Sequence, residues 1–183
     1  VIRAQHFDIM INGRQFHYMN GLRTVKDMRA IVVPGITRCL EMAVDAIRQD
    51  DRAEAAGRLA FLAHVVEDAS SLHCMDQLGI FILDEFFAPP DDQPFTSPSQ
   101  LIVSREQFKV DLGDYRPVLL GRTPQEAAET GFQRFMEIQR HSRHCMPELI
   151  QAGYAGDWAA FDETMGKMAA PASRLVADFY HTA

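Results

Sequence analysis

Apolar residues recur at helical spacing along most of the chain. In residues 24–50, the apolar positions that share one helical face are Ile36, Cys39, Leu40, Ala43 and Ile47. Such spacing is typical of a helix with one buried side. Pro34 lies inside the segment, where we expect it to start or kink the helix because proline has no backbone N–H group. The polar residues 49–52 end the segment, so the pattern predicts a first helix before them.

Two further segments show the same period. The second segment covers about residues 53–73, and its predicted inner face consists of Leu59, Leu62, Ala63 and Val66. The last segment covers about residues 158–180, and its predicted buried residues are Phe161, Met165, Met168, Leu175 and Phe179. Pro171 lies inside this last segment and predicts a kink there.

A third helix is predicted from its first residues, 123–126. Thr123 is a favoured N-cap because its hydroxyl can accept a hydrogen bond from the backbone of the first turn. Pro124 suits the first helical position, and Glu126 completes a capping box. The predicted helix runs from there toward Cys145.

Residues 88–121 separate the second helix from the third. They are rich in Pro, Ser and Asp, which predicts a long irregular surface excursion with a short strand at about residues 100–104. The four amphipathic segments predict an all-α, multi-helix fold in a single domain over residues 1–183. Because the chain opens at Val1 rather than Met, we also expect a processed or trimmed product, the C-terminal portion of a longer precursor.

Composition narrows the classes of function. The 183 residues, of which 47% are hydrophobic, are enough for one sizeable core. A formal charge of −7 and a pI near 5.4 argue against duplex nucleic acid held by phosphate contacts. Because no apolar run reaches about 18 residues, no transmembrane segment is expected. Cys39, Cys74 and Cys145 allow at most one internal disulfide and do not fix a redox compartment.

The stretch LAHVVEDASSLHCMD, residues 62–76, holds two histidines and three carboxylates. On a helix that turns by about 100° per residue, His64 and Asp68 leave the same face one turn apart and can share one ion. His73 lies nine residues after His64, about 180° away on an unbroken helix, so it joins the site only if the helix breaks. The alternative is a buried His64 held by the Asp68 carboxylate without a metal.

These residues resemble a family signature. In zinc-dependent phospholipase C and the fungal single-strand-specific zinc nucleases, a helix ends in His-x-x-x-Asp, and His-x-x-Asn follows. Here residues 43–64 lead into His64, Asp68, His73 and Asp76. The family's upstream His-Phe-Tyr-Asp segment and its following Asn-Gly are similar to Gln5-His6-Phe7-Asp8 and Asn12-Gly13. The capped helix at 123–126 is similar as well, so the resemblance touches most of the chain.

Several family ligand positions differ here. Asp68 and His73 are five residues apart where the family has six, and residues 70–71 are serines where it has a proline. Ile80 replaces the histidine of a later His-x-x-x-Glu pair, and Asp84 keeps the carboxylate. The family's N-terminal Trp and His ligands, and an Asp near the catalytic water, have no counterpart. The resemblance therefore implies one or two metal ions rather than three.

The resemblance implies a metal centre whose ligands are His6, His64, Asp68, His73 and Asp84. His6, His64 and Asp68 correspond to the ligands of a single zinc ion, and Asp68 is the residue assigned to catalysis. Two imidazoles and a carboxylate leave a coordination position open, as in catalytic zinc sites. The implied activity is that of a phospholipase C-like or nuclease-like phosphodiesterase, which uses metal-activated water on a small-molecule or lipid phosphoester. The resemblance also suggests a secreted or periplasmic location.

Two alternatives stay open. The same ligand set describes non-haem iron, which would make the protein an oxidase. A divergent member that has lost catalysis would instead be a binding or interaction domain on the same fold. Metal analysis separates the three, and the sequence does not indicate the oligomeric state.

A second stripe of candidate ligands lies on the predicted third helix. Glu137, His141, His144 and Glu148 fall at spacings of 4, 3 and 4, and a stripe of this kind binds metal when it faces a bundle interior. However, Pro147 interrupts it, and it is surrounded by Arg134, Arg140 and Arg143. We therefore predict a solvated, salt-bridged surface here.

Overall fold

The computed structural model describes residues 9–11, 14–16, 25–70 and 108–183. Within these residues lie four helices, α1 (Val25–Arg48), α2 (Arg52–Ser70), α3 (Pro124–Tyr154) and α4 (Trp158–Thr182). They contain 24, 19, 31 and 25 residues, more than half of the chain, which confirms the all-α prediction. Two short antiparallel strands, β1 (Ile9–Ile11) and β2 (Arg14–Phe16), precede them. None of the described helices combines the length and the hydrophobicity needed to cross a bilayer.

A tight connection joins α1 to α2 at the polar residues 49–52, as predicted. Asp50 adopts a positive φ of 55°, a conformation that aspartate tolerates better than most residues with a side chain. The Oδ1 atom of Asp51 accepts a hydrogen bond from the Glu54 N–H at 3.0 Å, which caps the first turn of α2. Pro34 lies in the interior of α1, so of the two predicted effects it does not start the helix, and a kink remains the prediction.

The predicted capping box begins α3. Thr123 Oγ1 accepts a hydrogen bond from the Glu126 N–H at 3.2 Å, and Glu126 Oε2 accepts one from the Arg122 N–H at 2.8 Å. Both bonds satisfy backbone donors that have no partner within the helix. The start of α3 is therefore set by local sequence, as predicted.

The far end of α3 differs from the prediction, because the helix continues past Cys145 and through Pro147 to Tyr154. A proline inside a helix removes one backbone hydrogen bond. The residues that follow it include Leu149 and Ile150, which are 0% and 1% exposed. Each buried side chain of this size contributes about 1.5–3 kcal/mol, enough to offset the bond that Pro147 removes.

The hydrophobic core lies where the helices meet. α3 packs against α4 and α1, and α2 packs against α1 and α4. The large side chains that are almost completely buried come from all four helices: Leu40, Leu62, Val66, Phe135, Leu149, Ile150, Phe161, Leu175 and Phe179. Most of the predicted inner-face residues are among them or packed against them. Ile47 is an exception, because it is 49% exposed in the last turn of α1.

The contact between α3 and α4 depends on Gly131. A methyl group at this position would collide with the Phe179 ring, which is itself buried. A residue with a side chain would therefore have to move the ring or separate the helices. The close approach of α3 and α4 at this point thus requires a glycine.

Residues 108–121 form an irregular segment that lies against α4, which confirms that part of the predicted excursion. Leu120 is buried, and its N–H donates to Thr182 Oγ1 at 3.0 Å. Near the start of the segment, a Cβ at Gly166 of α4 would lie 2.5 Å from the Lys109 carbonyl oxygen. Because glycine has no Cβ, the segment can approach α4 closely at this point. Residues 88–107, including the predicted strand at 100–104, lie outside the described residues.

Candidate functional site

α2 carries the first pair of candidate metal ligands. The helix is continuous from Arg52 to Ser70, so His64 and Asp68 are separated by one helical turn on the same face, as predicted. His64 is half-buried. The side chain of Asp68, and the whole of His6, His73 and Asp84, lie outside the described residues.

The described part of the chain does not complete a metal centre by itself. Among the described residues, no three His, Cys, Asp or Glu side chains lie close enough together to hold an ion. The helical spacing of His64 and Asp68 fits two ligands of one metal.

The stripe of candidate ligands on α3 lies on the surface, as predicted. Glu137, His141, His144 and Glu148 are all exposed. His141 Nε2 lies 3.2 Å from the Lys167 carbonyl oxygen, and Thr164 Oγ1 donates to Glu148 Oε1 at 3.5 Å. His141 and Glu148 therefore contact α4. Pro147 does not interrupt the stripe, since α3 continues through it.

Arg134 does not belong to this solvated surface. It reaches across to α4, where its Nη1 donates to Asp178 Oδ2. The carboxylate also accepts a hydrogen bond from the Tyr115 hydroxyl at 2.6 Å, and its Oδ1 accepts one from the Val118 N–H at 2.7 Å. Asp178 is 0% exposed, and a buried carboxylate is stable only when it is paired and hydrogen-bonded. Arg134 is thus salt-bridged, as predicted, but its partner is a buried carboxylate rather than a solvated one.

The buried Asp178 cluster was not predicted, although the sequence contains one signal for it. Asp178 lies between Leu175 and Phe179 on the buried face of α4, where an acidic residue needs a partner. The partners Tyr115 and Arg134 are 63 and 44 residues away. No local spacing could therefore identify them.

The protonation states around Asp178 follow from burial and charge. Burial raises the pKa of the Tyr115 hydroxyl, and its hydrogen bond to Asp178 raises that pKa further, outweighing the opposite effect of Arg134. Partial burial works to lower the pKa of Arg134, but Tyr115 and Asp178 reverse this, and that pKa is raised overall. At neutral pH, Tyr115 is thus a neutral donor and Arg134 is a cation.

Beside this cluster, the surface opens into a pocket of about 400 Å³, here called the Tyr115 pocket. Its lining residues are Tyr115, Arg134, Glu137, Ile138, His141, Pro171 and Arg174. The guanidinium carbon of Arg174 lies 5.3 Å from the centre of the Tyr115 ring, a cation–π arrangement. Arg174 Nε is buried and donates to no acceptor among the described residues.

The described cysteines show no activated thiolate. Cys39 and Cys145 are both free thiols. Burial raises the pKa of Cys39 despite the nearby Arg58, and burial together with the Glu148 carboxylate raises the pKa of Cys145. His141 Nε2 lies 3.8 Å from Cys145 Sγ. With its pKa raised, the thiol stays protonated at neutral pH, so the pair does not form a thiolate nucleophile.

Comparisons of this chain with protein-family models, with curated proteins and with solved structures find no match. The resemblance to phospholipase C and the zinc nucleases therefore rests on the sequence motifs alone.

Proposed function

We propose that this protein is a metal-dependent phosphoester hydrolase that acts on a small-molecule or lipid substrate. The observation that carries the proposal is the continuity of α2, which sets His64 and Asp68 one turn apart on one helical face. The sequence motifs that resemble phospholipase C and the zinc nucleases support it, with His6, His73 and Asp84 as the remaining ligands.

Each residue has a definite task in this proposal. His64 ligates through a neutral imidazole nitrogen, and its position on a helix that is packed into the core limits its freedom to move. Asp68 would supply an anionic ligand to the metal that activates the water, which is the catalytic role that we assign to it. When bound, a zinc ion would polarise a phosphoryl oxygen and lower the pKa of water from 15.7 toward about 7.

Metal content tests this assignment. After dialysis, we expect the full-length protein to retain one or two zinc ions by mass spectrometry, and His64→Ala and Asp68→Asn each to remove most of them. His141→Ala and Glu148→Gln are matched controls on the exposed α3 stripe and should retain the metal. Loss of metal in His141→Ala together with retention in His64→Ala would show that the metal site lies on α3 and not on α2. Iron in place of zinc would favour an oxidase.

A non-catalytic binding domain on the same fold is the second candidate, and the Tyr115 pocket is the observation that favours it. At about 400 Å³, the pocket is within the size range of small-molecule sites, and it contains an arginine whose Nε has no acceptor among the described residues. A protein that retains no metal after purification in the presence of zinc would support this second function.

A further inference from the structure

The Tyr115 pocket is built by three elements. α3 contributes Arg134, Ile138 and His141, which are three to four residues apart and therefore share one face. α4 contributes Pro171 and Arg174, again three apart. Tyr115 comes from the irregular segment, and its hydroxyl is fixed by the bond to the buried Asp178. The walls of the pocket are thus held by helix packing and by a buried carboxylate, so the pocket is pre-formed.

The two arginines in the pocket differ in how their charges are balanced. Arg134 is paired with Asp178, and its charge is neutralised. Arg174 has no carboxylate at ion-pair distance among the described residues, and its Nε is buried without an acceptor. A buried donor without a partner costs about 1–3 kcal/mol. The pocket therefore contains one guanidinium group that gains stability when an anion binds.

Arg174 is also oriented before any ligand arrives. Its guanidinium group lies over the Tyr115 ring at 5.3 Å, and stacking of this kind limits the rotation of a long side chain. A planar guanidinium presents parallel N–H donors that match the two oxygens of a carboxylate. Orientation before binding reduces the entropy that the side chain would otherwise lose.

The charged and apolar residues that line the Tyr115 pocket define the class of ligand. Arg174 is the arginine of the pocket that is not paired with a carboxylate among the described residues, and the exposed Glu137 also lines the pocket. The negative charge of Glu137 repels a doubly charged phosphate more than a singly charged carboxylate. Ile138 and Pro171 give the pocket an apolar wall. A volume of about 400 Å³ admits a ligand of small organic size.

We propose that the Tyr115 pocket binds a small organic monocarboxylate, with the carboxylate on Arg174 and a compact apolar body against Ile138 and Pro171. None of the residues that line this pocket is a proposed metal ligand, so the proposal does not depend on the metal centre. It holds whether the protein is a hydrolase or a binding domain.

Calorimetric titration of the 183-residue protein with benzoate tests the ligand class. We expect a dissociation constant of the order of 1 mM or tighter. Benzamide has nearly the same shape without the charge, and it should bind at least about 10-fold more weakly. Inorganic phosphate should also bind more weakly than benzoate. No benzoate binding, equal binding of benzamide, or tighter binding of phosphate would overturn the proposal.

Substitutions locate the site. Arg174→Gln should weaken benzoate binding at least about 10-fold. Arg174→Lys keeps the positive charge but loses the paired N–H donors of the guanidinium group, so its affinity for benzoate should lie between those of Arg174→Gln and the wild type. Arg140→Gln is the control, because Arg140 is an exposed arginine of α3 that donates to the Met136 carbonyl outside the pocket. Unchanged binding in Arg174→Gln, or equal loss in Arg140→Gln, would contradict the assignment.

A spectroscopic readout needs no substitution and remains decisive if Arg174→Gln does not fold. In the wild-type protein, the Nε–H resonance of Arg174 should shift on addition of benzoate and should not shift on addition of benzamide. The Nε–H resonance of Arg140 should stay constant in both titrations. A benzoate titration that leaves the Arg174 resonance unmoved would show that the carboxylate binds elsewhere.

Discussion

Arg134 of α3 and Asp178 of α4 form an ion pair whose two members differ in exposure. The Asp178 side chain is 0% exposed, whereas that of Arg134 is 38% exposed. Because the same carboxylate accepts hydrogen bonds from Tyr115 and Val118, three parts of the chain meet at one buried charge. Burying this charge is favourable only while those donors stay in place, so Asp178 fixes how residues 108–121 lie against the two helices.

The first prediction concerns this carboxylate. Asp178→Ala should lower the free energy of unfolding by about 2–4 kcal/mol, because it leaves Tyr115, Val118 and Arg134 without their acceptor. Arg134 is partly exposed and can recover some hydration, which keeps the loss below that of a fully buried pair. Chemical denaturation followed by circular dichroism measures the change.

A matched control for this prediction is the Arg29–Glu129 ion pair between α1 and α3. It is also an arginine–carboxylate pair with two close contacts, of 2.6 and 3.1 Å, but its side chains are 57% and 30% exposed. Glu129→Gln should therefore cost no more than about 1 kcal/mol. Equal losses in Glu129→Gln and Asp178→Ala would show that burial does not set the energy of the Asp178 cluster.

The second prediction concerns the close approach at Gly131. Gly131→Ala should destabilise the protein by about 1–3 kcal/mol, because the added methyl group meets the buried ring of Phe179. The helix preference for alanine, about 1 kcal/mol, works in the opposite direction and does not remove the clash. Thermal unfolding measures the difference.

Gly57→Ala provides the control for Gly131→Ala. Gly57 lies in α2 and has nothing within 4 Å of the position that a methyl group would take. Alanine should therefore stabilise the protein there, by about 0.5–1 kcal/mol. The two substitutions are chemically identical, so changes of the same sign at both positions would contradict the packing argument.

The third prediction concerns the ionisation of Tyr115. Burial and the bond to Asp178 raise its pKa above the ordinary tyrosine value of about 10. The folded state then holds this proton more tightly than the unfolded state. Its contribution to stability is therefore fully present below about pH 10 and is lost as the pH rises through the folded pKa.

The substitution Tyr115→Phe separates this effect from other alkaline transitions. Between pH 9 and 12, we expect the free energy of unfolding to fall more steeply in the wild type than in Tyr115→Phe. The phenolate absorbance of the folded wild type should show one tyrosine that ionises late and that is missing in the variant. If the absorbance titrations of the wild type and of Tyr115→Phe differ only by a tyrosine with an ordinary pKa, the raised pKa of Tyr115 is ruled out.

Local patterns were enough to predict most of the helices. The period of apolar residues located α1, α2 and α4, and the capping box at Thr123 located the start of α3 to the residue. The end of α3 was missed because the effect of Pro147 depends on how deeply Leu149 and Ile150 are buried. That burial comes from tertiary packing, which local sequence does not encode.

The candidate sites divide in the same way. The common face of His64 and Asp68 was predictable because helix geometry alone relates two residues four apart. The bond between Tyr115 and Asp178 joins residues 63 apart, and it exists only because the irregular segment packs on α4. The Tyr115 pocket shares this origin and was not predicted.

The last prediction concerns catalysis by the proposed hydrolase. During attack on a phosphodiester, negative charge rises on the non-bridging and leaving oxygens, so several cations stabilise the transition state better than one. Ile80 stands where the family resemblance would place a histidine ligand, which limits the number of ions. We therefore expect weak hydrolysis of bis(p-nitrophenyl) phosphate that a chelator abolishes and zinc restores.

Variants of the proposed ligands refine this expectation. His64→Ala should abolish hydrolysis, whereas Asp84→Asn should only lower the rate, since Asp84 would serve a second ion. His144→Ala is the control, because His144 is an exposed histidine on α3 and its loss should leave the rate unchanged. Activity that survives complete removal of metal would contradict the mechanism. If the zinc-loaded protein hydrolyses no phosphoester, the non-catalytic binding domain remains as the function. The proposed ligands would then hold a metal ion that takes no part in hydrolysis.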